Sequence, residues 1–128
     1  CICEWLLRFV VGNSDMHLKN FSLMKNMSGS RIFQLSKAYD MLPVNVIMPE
    51  DKEQMALTIN GKKRNIHKKE FKILAEVCDI PANAAEKMIE KLCVLENKML
   101  SLVDESYLPQ AQRDELKTLI RDRVAILL

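Results

Sequence analysis

Residues 12–23, GNSDMHLKNFSL, combine a dense polar run with the start of an apolar stretch. Within six residues they hold four side chains that can donate, accept or carry charge: Asp15, His17, Lys19 and Asn20. The polar run then changes abruptly into the apolar pattern of a short strand. A dense polar run immediately before a strand predicts a functional loop that is held in place by a small β-structure.

The residues before this loop have the periodicity of an amphipathic helix. Apolar side chains recur at i, i+3, i+4, i+7 and i+8, namely at Ile2, Trp5, Leu6, Phe9 and Val10. Gly12 is a suitable end for this helix, because glycine adopts positive φ at little cost. A helix that starts at Cys1 without a capping residue, in a chain without an initiator Met, predicts a piece cut from a longer protein.

Two small β-hairpins are predicted after the loop. In the first, residues 21–24 pair with residues 31–35 across turn signals at 26–30. In the second, Asn60-Gly61 is a strong signal, because a type I′ turn needs positive φ at both central positions. Residues 55–59 and 62–66 flank that pair and are expected to form its two strands.

The segment from residue 37 to residue 48 is expected to be irregular, because Pro43 and Pro49 exclude a continuous helix there. From residue 67 to residue 127 the pattern is that of a helical bundle. Three apolar stripes are expected to form its core: Phe71, Leu74, Val77 and Cys78; then Ala85, Met88, Ile89, Leu92, Leu95, Met99 and Leu102; then Leu116, Leu119, Ile120 and Val124. The predicted fold is a single domain over residues 1–128, mainly α with two small β-hairpins.

Composition narrows the class of protein. The chain has 128 residues, 48% hydrophobic and 28% charged, with a formal net charge of +2. This charge is too small to predict direct nucleic-acid binding, and no apolar run is long enough to span a membrane. The basic residues from 62 to 69 are interpreted as a solvated turn and helix start. The four cysteines lack metal-ligand spacing, so free thiols in a reducing cytoplasm are predicted.

The spacing of Asp15 and Asn20 is typical of phosphoryl transfer. Such chemistry needs a carboxylate to orient or deprotonate the acceptor hydroxyl, and oxygen ligands to hold Mg²⁺ against the phosphates. Protein kinases place the base Asp and a metal-holding Asn five residues apart on one loop. Asp15 and Asn20 have that spacing. The pair alone is a weak signal, because it occurs by chance in many chains.

The first hairpin predicts where a second metal ligand lies. A chain that leaves Asn20, turns at residues 26–30 and returns is level with Asn20 again in the upper thirties. Asp40 is therefore expected to close a metal site with Asn20. Lys19 is expected to neutralise charge on the transferred phosphoryl group. For His17 two interpretations stay open: it orients Asp15 or the acceptor, or it packs the loop.

The strings GNSDMHLKNFSL and AYDMLP resemble the HipA-like toxin kinases, in which G-N-x-D-x-H-x-K-N-F-S is the catalytic loop. The resemblance extends to the Asn-Gly hairpin and to residues 108–123. It implies a kinase C-lobe-like helical domain with its catalytic loop at 12–23 and a metal-binding segment at 36–43. Position by position, Asp15 matches the catalytic base, Asn20 and Asp40 match the metal ligands, and His17 and Lys19 match the remaining loop positions.

The resemblance also implies an activity and partners. The family phosphorylates serine or threonine of protein substrates with ATP and Mg²⁺, so Lys19, Asn20 and Asp40 are expected to contact the cofactor. Many members are toxins restrained by a small DNA-binding antitoxin, which predicts such a partner here.

One departure limits the expected activity. Gly12, Gly29 and Gly61 are too far apart to form the family's phosphate loop. The chain is therefore expected to be a C-terminal lobe that lacks the nucleotide-gripping region and is inactive alone. Two alternatives stay open: the lobe of a small-molecule or lipid-type phosphotransferase, and a non-enzymatic helical interaction module.

Overall fold

The computed structural model describes residues 2–29 and 31–128, and its fold is mainly helical, as predicted. The elements follow in the order α1 (Ile2–Val10), a 3₁₀ turn (Leu18–Asn20), β1 (Leu23–Lys25), β2 (Phe33–Leu35), α2 (Val44–Ile47), α3 (Lys68–Val77), α4 (Ala82–Val94), α5 (Glu96–Asp104) and α6 (Gln110–Leu127). None of the helices in the described residues is long and apolar enough to cross a membrane.

Helix α1 lies at the centre of the core, packed against α3, α4 and α6. Its predicted apolar stripe is correct, since Leu6, Phe9 and Val10 are almost completely buried. The ring of Phe9 meets that of Phe71 edge to face, with centroids 5.3 Å apart. Each fully buried side chain of this size stabilises the fold by about 1.5–3 kcal/mol. The first described residue already belongs to the helix, and the predicted start at Cys1 lies outside the described residues.

The first hairpin is shorter than predicted. β1 and β2 are antiparallel strands of three residues each, with Leu23 opposite Leu35 and Lys25 opposite Phe33. Their side chains are almost all exposed, so burial contributes little to holding longer strands together. The turn between them includes Ser30, which lies outside the described residues. The hairpin therefore acts through its register and not through a core of its own.

The second hairpin is reduced to its turn. Asn60 and Gly61 have φ of 50° and 72°, as a type I′ turn requires. In the described part of the chain a single β-bridge accompanies this turn, between Ile59 and Lys62. Two features prevent a longer ladder. Asn65 has a φ of 52°, which is incompatible with a strand, and the side chain of Gln54 accepts the hydrogen bond from the backbone N–H of Ile66 at 2.8 Å.

The segment around Pro43 and Pro49 is not wholly irregular, because the four-residue helix α2 forms between the two prolines.

The long second helix predicted in the bundle is divided at Leu95 into α4 and α5. Helix α4 packs against α3 and α1, whereas α5 packs mainly against α6. The division redirects the chain from one set of neighbours to the other.

The predicted core stripes need correction at four positions: Val77, Cys78, Leu95 and Leu102 are exposed. Val103 is buried in place of Leu102, one residue further along α5. Val77 and Cys78 lie at the end of α3, beyond the turn of that helix that packs on the core. Cys3, Cys78 and Cys93 are free thiols, as predicted, and Cys1 lies outside the described residues. Burial raises the pKa of the Cys93 thiol.

Candidate active site

The first hairpin brings Asn20 and Asp40 into contact. Extending the register of Leu23 and Leu35 by three residues places Asn20 level with residue 38. The amide nitrogen Nδ2 of Asn20 donates a hydrogen bond to Oδ2 of Asp40 at 2.9 Å, across 20 residues of sequence. The Asn20 side chain is 3% exposed, and its Oδ1 accepts a hydrogen bond from the backbone N–H of His17 at 2.8 Å. Asn20 is thus held by its own loop while it faces Asp40.

Asp15 and His17 form an exposed pair on the same loop. Nε2 of His17 lies 2.8 Å from Oδ1 of Asp15, and both side chains are about half or more exposed to solvent. Met16 between them is fully buried and anchors the loop to the core. The structure thus places the His17 ring against the Asp15 carboxylate, with nearly half of the His17 side chain exposed.

Lys19 contributes its backbone to the site and leaves its ammonium group unengaged. The hydroxyl of Tyr39 donates to the carbonyl oxygen of Lys19 at 2.8 Å, which links the loop to the segment that carries Asp40. Within residues 2–29 and 31–128, the Lys19 ammonium makes no hydrogen bond or ion pair. The group is exposed and available to an anion.

The backbone of Asp40 is held in an unusual conformation by two side chains that sequence reasoning missed. Its φ is 53°, in the left-handed region that non-glycine residues adopt rarely. Its carbonyl oxygen accepts hydrogen bonds from Nη1 of Arg8 at 3.3 Å and from Nδ2 of Asn13 at 3.1 Å. Arg8 also donates from Nη2 to the carbonyl oxygen of Tyr39 at 2.8 Å. These donors fix the direction in which the Asp40 carboxylate projects.

Arg8 is itself held by a buried ion pair. Its Nη2 lies 2.9 Å from Oε1 of Glu4, one helical turn earlier, and the Arg8 side chain is completely buried. A buried guanidinium normally has a carboxylate partner, because a buried charge without one strongly destabilises the fold. The sequence signal was available: Glu4 and Arg8 are spaced i, i+4 within an otherwise apolar helix.

A second anchor holds the residue immediately before Asp15. The hydroxyl of Ser14 donates to Oδ2 of Asp51 at 2.5 Å, across 37 residues. Hydrogen bonds from this hydroxyl and from the backbone N–H of Glu53 hold the pKa of Asp51 below its ordinary value of 3.8. Arg64 and Lys63 lower the pKa further through their charges. Asp51 therefore stays ionised at neutral pH and ties the loop of residues 12–23 to the 49–54 segment.

The donor chemistry of the Asn20–Asp40 pair fits Mg²⁺, which prefers oxygen ligands and keeps several waters. Asp40 offers a carboxylate, and Oδ1 of Asn20 has a second lone pair beside the one used by His17. Among the described residues no group of three or more His, Cys, Asp or Glu side chains could hold a metal. The pair alone could hold a cation only if other ligands, such as phosphate oxygens and water, completed the coordination.

A cavity of about 400 Å³ opens beside Asp15. Its apolar lining comes from α2 and its flanks, at Leu42, Val44, Ile47 and Met48. The polar lining is provided by Asp15 and Asp51. The cavity thus joins an apolar surface to the exposed carboxylate of the loop.

The fold has a counterpart of known structure. The chain is similar to HipA of Shewanella oneidensis MR-1 in a toxin–antitoxin complex with HipB and operator DNA, with a TM-score of 0.71 and 20% identity. The match covers 95% of this chain and 30% of the Shewanella chain, so this chain spans under a third of that protein's length. No curated protein matches the sequence. At this identity the likeness establishes the fold alone.

The family is established by sequence. The model of the HipA-like C-terminal domain matches residues 4–99, well over half of the chain. That range includes the loop from Gly12 to Leu23, the Asn20–Asp40 contact, Arg8, which holds the Asp40 backbone, and Asp51, which holds Ser14. The chain belongs to the HipA-like C-terminal domain family.

Proposed function

We propose that this chain is the catalytic-loop-bearing, C-terminal part of an ATP- and Mg²⁺-dependent protein serine/threonine kinase. The observation that carries the proposal is the 2.9 Å contact between Asn20 and Asp40, because it joins two candidate metal ligands on the loop that also presents Asp15. Kinase chemistry consists mainly of positioning and charge stabilisation, which such a constellation supplies.

In this proposal Asp15 is the group that receives the acceptor's proton. Its carboxylate accepts the hydrogen bond from a serine or threonine hydroxyl and then takes the proton as the oxygen attacks the γ-phosphorus of ATP, while the bond from that phosphorus to the ADP oxygen breaks and ADP leaves. His17, 2.8 Å away, holds the Asp15 carboxylate in the required direction. The unengaged ammonium of Lys19 neutralises charge that develops on the transferred phosphoryl group.

Asn20 and Asp40 are proposed to hold the magnesium ion. A magnesium ion held there would supply positive charge beside the phosphate oxygens of ATP. The protein's part is to keep the side chains of Asn20 and Asp40 in contact, and Arg8 and Asn13 contribute by donating hydrogen bonds to the Asp40 carbonyl.

The acceptor is proposed to be a protein segment. The cavity beside Asp15 is lined mainly by apolar side chains of α2 and its flanks, which suits an apolar side chain next to the acceptor residue. A small polar substrate would leave that lining unfilled, so this feature supports a protein acceptor over a small-molecule phosphotransferase.

The remaining parts of the proposal follow from relatives. The Shewanella HipA is described with HipB and operator DNA. We infer that this chain belongs to the toxin of a similar pair, in the cytoplasm, with a DNA-binding antitoxin as partner. Because the chain spans 30% of that protein and lacks a glycine-rich phosphate loop, we infer that it is inactive alone.

The test is phosphoryl transfer from γ-labelled ATP by the full-length kinase that contains this chain. Asp15→Asn should abolish most of kcat and leave the affinity for ATP nearly unchanged. Asp79→Asn is the matched control, because Asp79 is exposed and its substitution makes the same change of charge outside the site. Equal activity of the Asp15→Asn and Asp79→Asn proteins would overturn the role of Asp15. No transfer by any folded form would favour an interaction module.

A further inference from the structure

A second site is indicated by Arg123, a buried cation that has no carboxylate partner among the described residues. The Arg123 side chain is 7% exposed, and its guanidinium lies over the Phe9 ring, 4.5 Å from the centroid. Its Nη1 donates to the carbonyl oxygen of Phe9 at 3.2 Å, and its Nη2 donates to Oδ1 of Asn45 at 3.3 Å. In the part of the chain that the structure describes, Arg123 forms no ion pair.

Burial has a measurable consequence for this arginine. It lowers the pKa of the Arg123 guanidinium to about 10, although the charge of Asp122 acts in the opposite direction. Buried charges are normally paired, since removing an ion from water is costly. An arginine has five N–H donors, and the Arg123 Nε has no partner within residues 2–29 and 31–128. The unused donors and the unpaired charge both favour an anionic ligand.

Arg123 lines a cavity of about 350 Å³ that has two further cations in its wall, Lys52 and Arg64. Lys52 donates to the carbonyl oxygen of Pro49 at 3.0 Å, and Arg64 has no hydrogen bond or ion pair among the described residues. The one carboxylate in the wall, Asp51, is engaged through both oxygens, by Ser14 and by the N–H of Glu53. The wall therefore carries three positive charges and one negative charge.

Two amide side chains of the cavity, Asn45 and Gln54, have their oxygens engaged in hydrogen bonds. Oδ1 of Asn45 is used by Arg123, and Oε1 of Gln54 is used by the backbone N–H of Ile66. The amide nitrogen of Gln54 makes no hydrogen bond within the described residues. The amide nitrogen of Gln54 is therefore a further donor for a ligand that accepts hydrogen bonds.

We propose that this cavity binds a phosphoryl oxyanion, either free phosphate or a phosphorylated serine or threonine side chain. Arginine favours phosphate because its planar fork matches the phosphate oxygens, and Arg64 and Arg123 supply two such groups. The site is separate from the Asn20–Asp40 pair and does not depend on the proposed kinase activity. Asp51 lies in the wall of this cavity and accepts a hydrogen bond from Ser14. It therefore connects the proposed anion site directly to the loop that carries Asp15.

The test is a titration of this chain with inorganic phosphate, followed by amide chemical shifts at constant ionic strength. Shifts should centre on residues around Lys52, Arg64 and Arg123. Arg64→Gln should weaken binding about tenfold, as expected for the loss of one charge-assisted hydrogen bond. Lys69→Gln is the matched control, because Lys69 is an exposed cation of the same basic stretch and does not line the cavity.

Separate titrations distinguish the sources of the anion. O-phosphoserine binding more tightly than phosphate assigns the site to a phosphorylated side chain, and the reverse order assigns it to the free ion. Equal weakening by Arg64→Gln and Lys69→Gln would overturn the proposal, as would chloride producing the same shifts as phosphate. Arg123→Lys keeps the charge and removes the fork; if that variant folds and binds phosphate as the wild type does, the assigned role of Arg123 is wrong.

Discussion

Asn20 and Asp40 are joined side chain to side chain at 2.9 Å by a hairpin whose own strands are almost entirely exposed. Such a hairpin adds little burial energy, so its contribution lies in its register. The pairing of Leu23 with Leu35 sets the distance at which the chain returns, and the Tyr39 hydroxyl secures that return on the Lys19 carbonyl. The position of Asp40 along the chain is thus determined by local geometry, while a side chain of the core helix α1 donates the hydrogen bond that holds its backbone.

Removing the Arg8 guanidinium should destabilise the whole fold. In Arg8→Met, the buried carboxylate of Glu4 loses its partner and the carbonyls of Tyr39 and Asp40 lose a donor. We expect a loss of about 3–5 kcal/mol in the free energy of unfolding, measured by chemical denaturation. The double variant Glu4→Met with Arg8→Met should be more stable than Arg8→Met alone, because no uncompensated buried charge remains. A double variant that is less stable than Arg8→Met would contradict the ion-pair explanation.

The anchor between Ser14 and Asp51 has a pH signature. The pKa of Asp51 is lowered in the folded chain, so its contribution to stability is present above its ordinary value of 3.8 and is lost as pH falls through the folded value. Ser14→Ala should cost about 1.5–3 kcal/mol at neutral pH, and the difference from wild type should shrink below about pH 3.8. Denaturation at a series of pH values measures this. A Ser14→Ala penalty that is constant with pH would show that the charge of Asp51 is not involved.

Gly12 has two reasons to be glycine. Its φ is 71°, and an added Cβ would collide with Cδ2 of Leu119. Gly61 has a similar φ of 72° and open space around it. Its replacement by alanine therefore measures the cost of the positive φ without a steric clash. Gly61→Ala should cost about 1 kcal/mol, and Gly12→Ala should cost clearly more. Thermal melts of both variants check this. Equal losses would mean that Leu119 moves aside without cost.

Glu70 links the helical bundle to the Asn60-Gly61 turn through Lys62. It is 2% exposed, accepts a hydrogen bond from Lys62 Nζ at 2.7 Å, and caps α3 by accepting from the His67 N–H at 2.9 Å. The hydrogen bond from Lys62 is the main reason that the pKa of Glu70 lies below its ordinary value of 4.5. Its contribution is therefore complete above pH 4.5 and is lost as pH falls through the lower folded value.

Glu70→Gln should accordingly lower stability at pH 7 by about 1–3 kcal/mol and flatten the acid side of the stability profile. Glu76→Gln, on the exposed side of the same helix, is the control and should leave that profile unchanged. Identical acid profiles for wild type and Glu70→Gln would refute the assignment.

The sequence predicted those parts of the fold that depend on local periodicity. The stripe of α1, the helices of the bundle and the return of Asp40 to Asn20 follow from spacing that neighbouring residues determine. The type I′ turn at Asn60-Gly61 was predictable for the same reason, because it depends on two residues only.

The rest depended on contacts between distant residues. The ladder expected after Asn60-Gly61 failed because the Gln54 side chain takes the N–H of Ile66, which no local pattern reveals. The division at Leu95 follows from a change of packing partners between α4 and α5, without a proline or glycine to signal it. Ser14 and Asp51 are 37 residues apart, so their hydrogen bond had no sequence signal. Arg8 did have one, in its spacing from Glu4.

The most direct test of the central claim is the binding of Mn²⁺, a paramagnetic substitute for Mg²⁺, to this chain. Amide signals of residues around Asn20 and Asp40 should broaden first as Mn²⁺ is added, even if binding is weak. Asp40→Asn should reduce that broadening strongly, whereas Asp79→Asn should not. Broadening that centres on other acidic residues, or that persists around Asn20 in the Asp40→Asn chain, would contradict the assignment of Asn20 and Asp40 as the metal-holding pair.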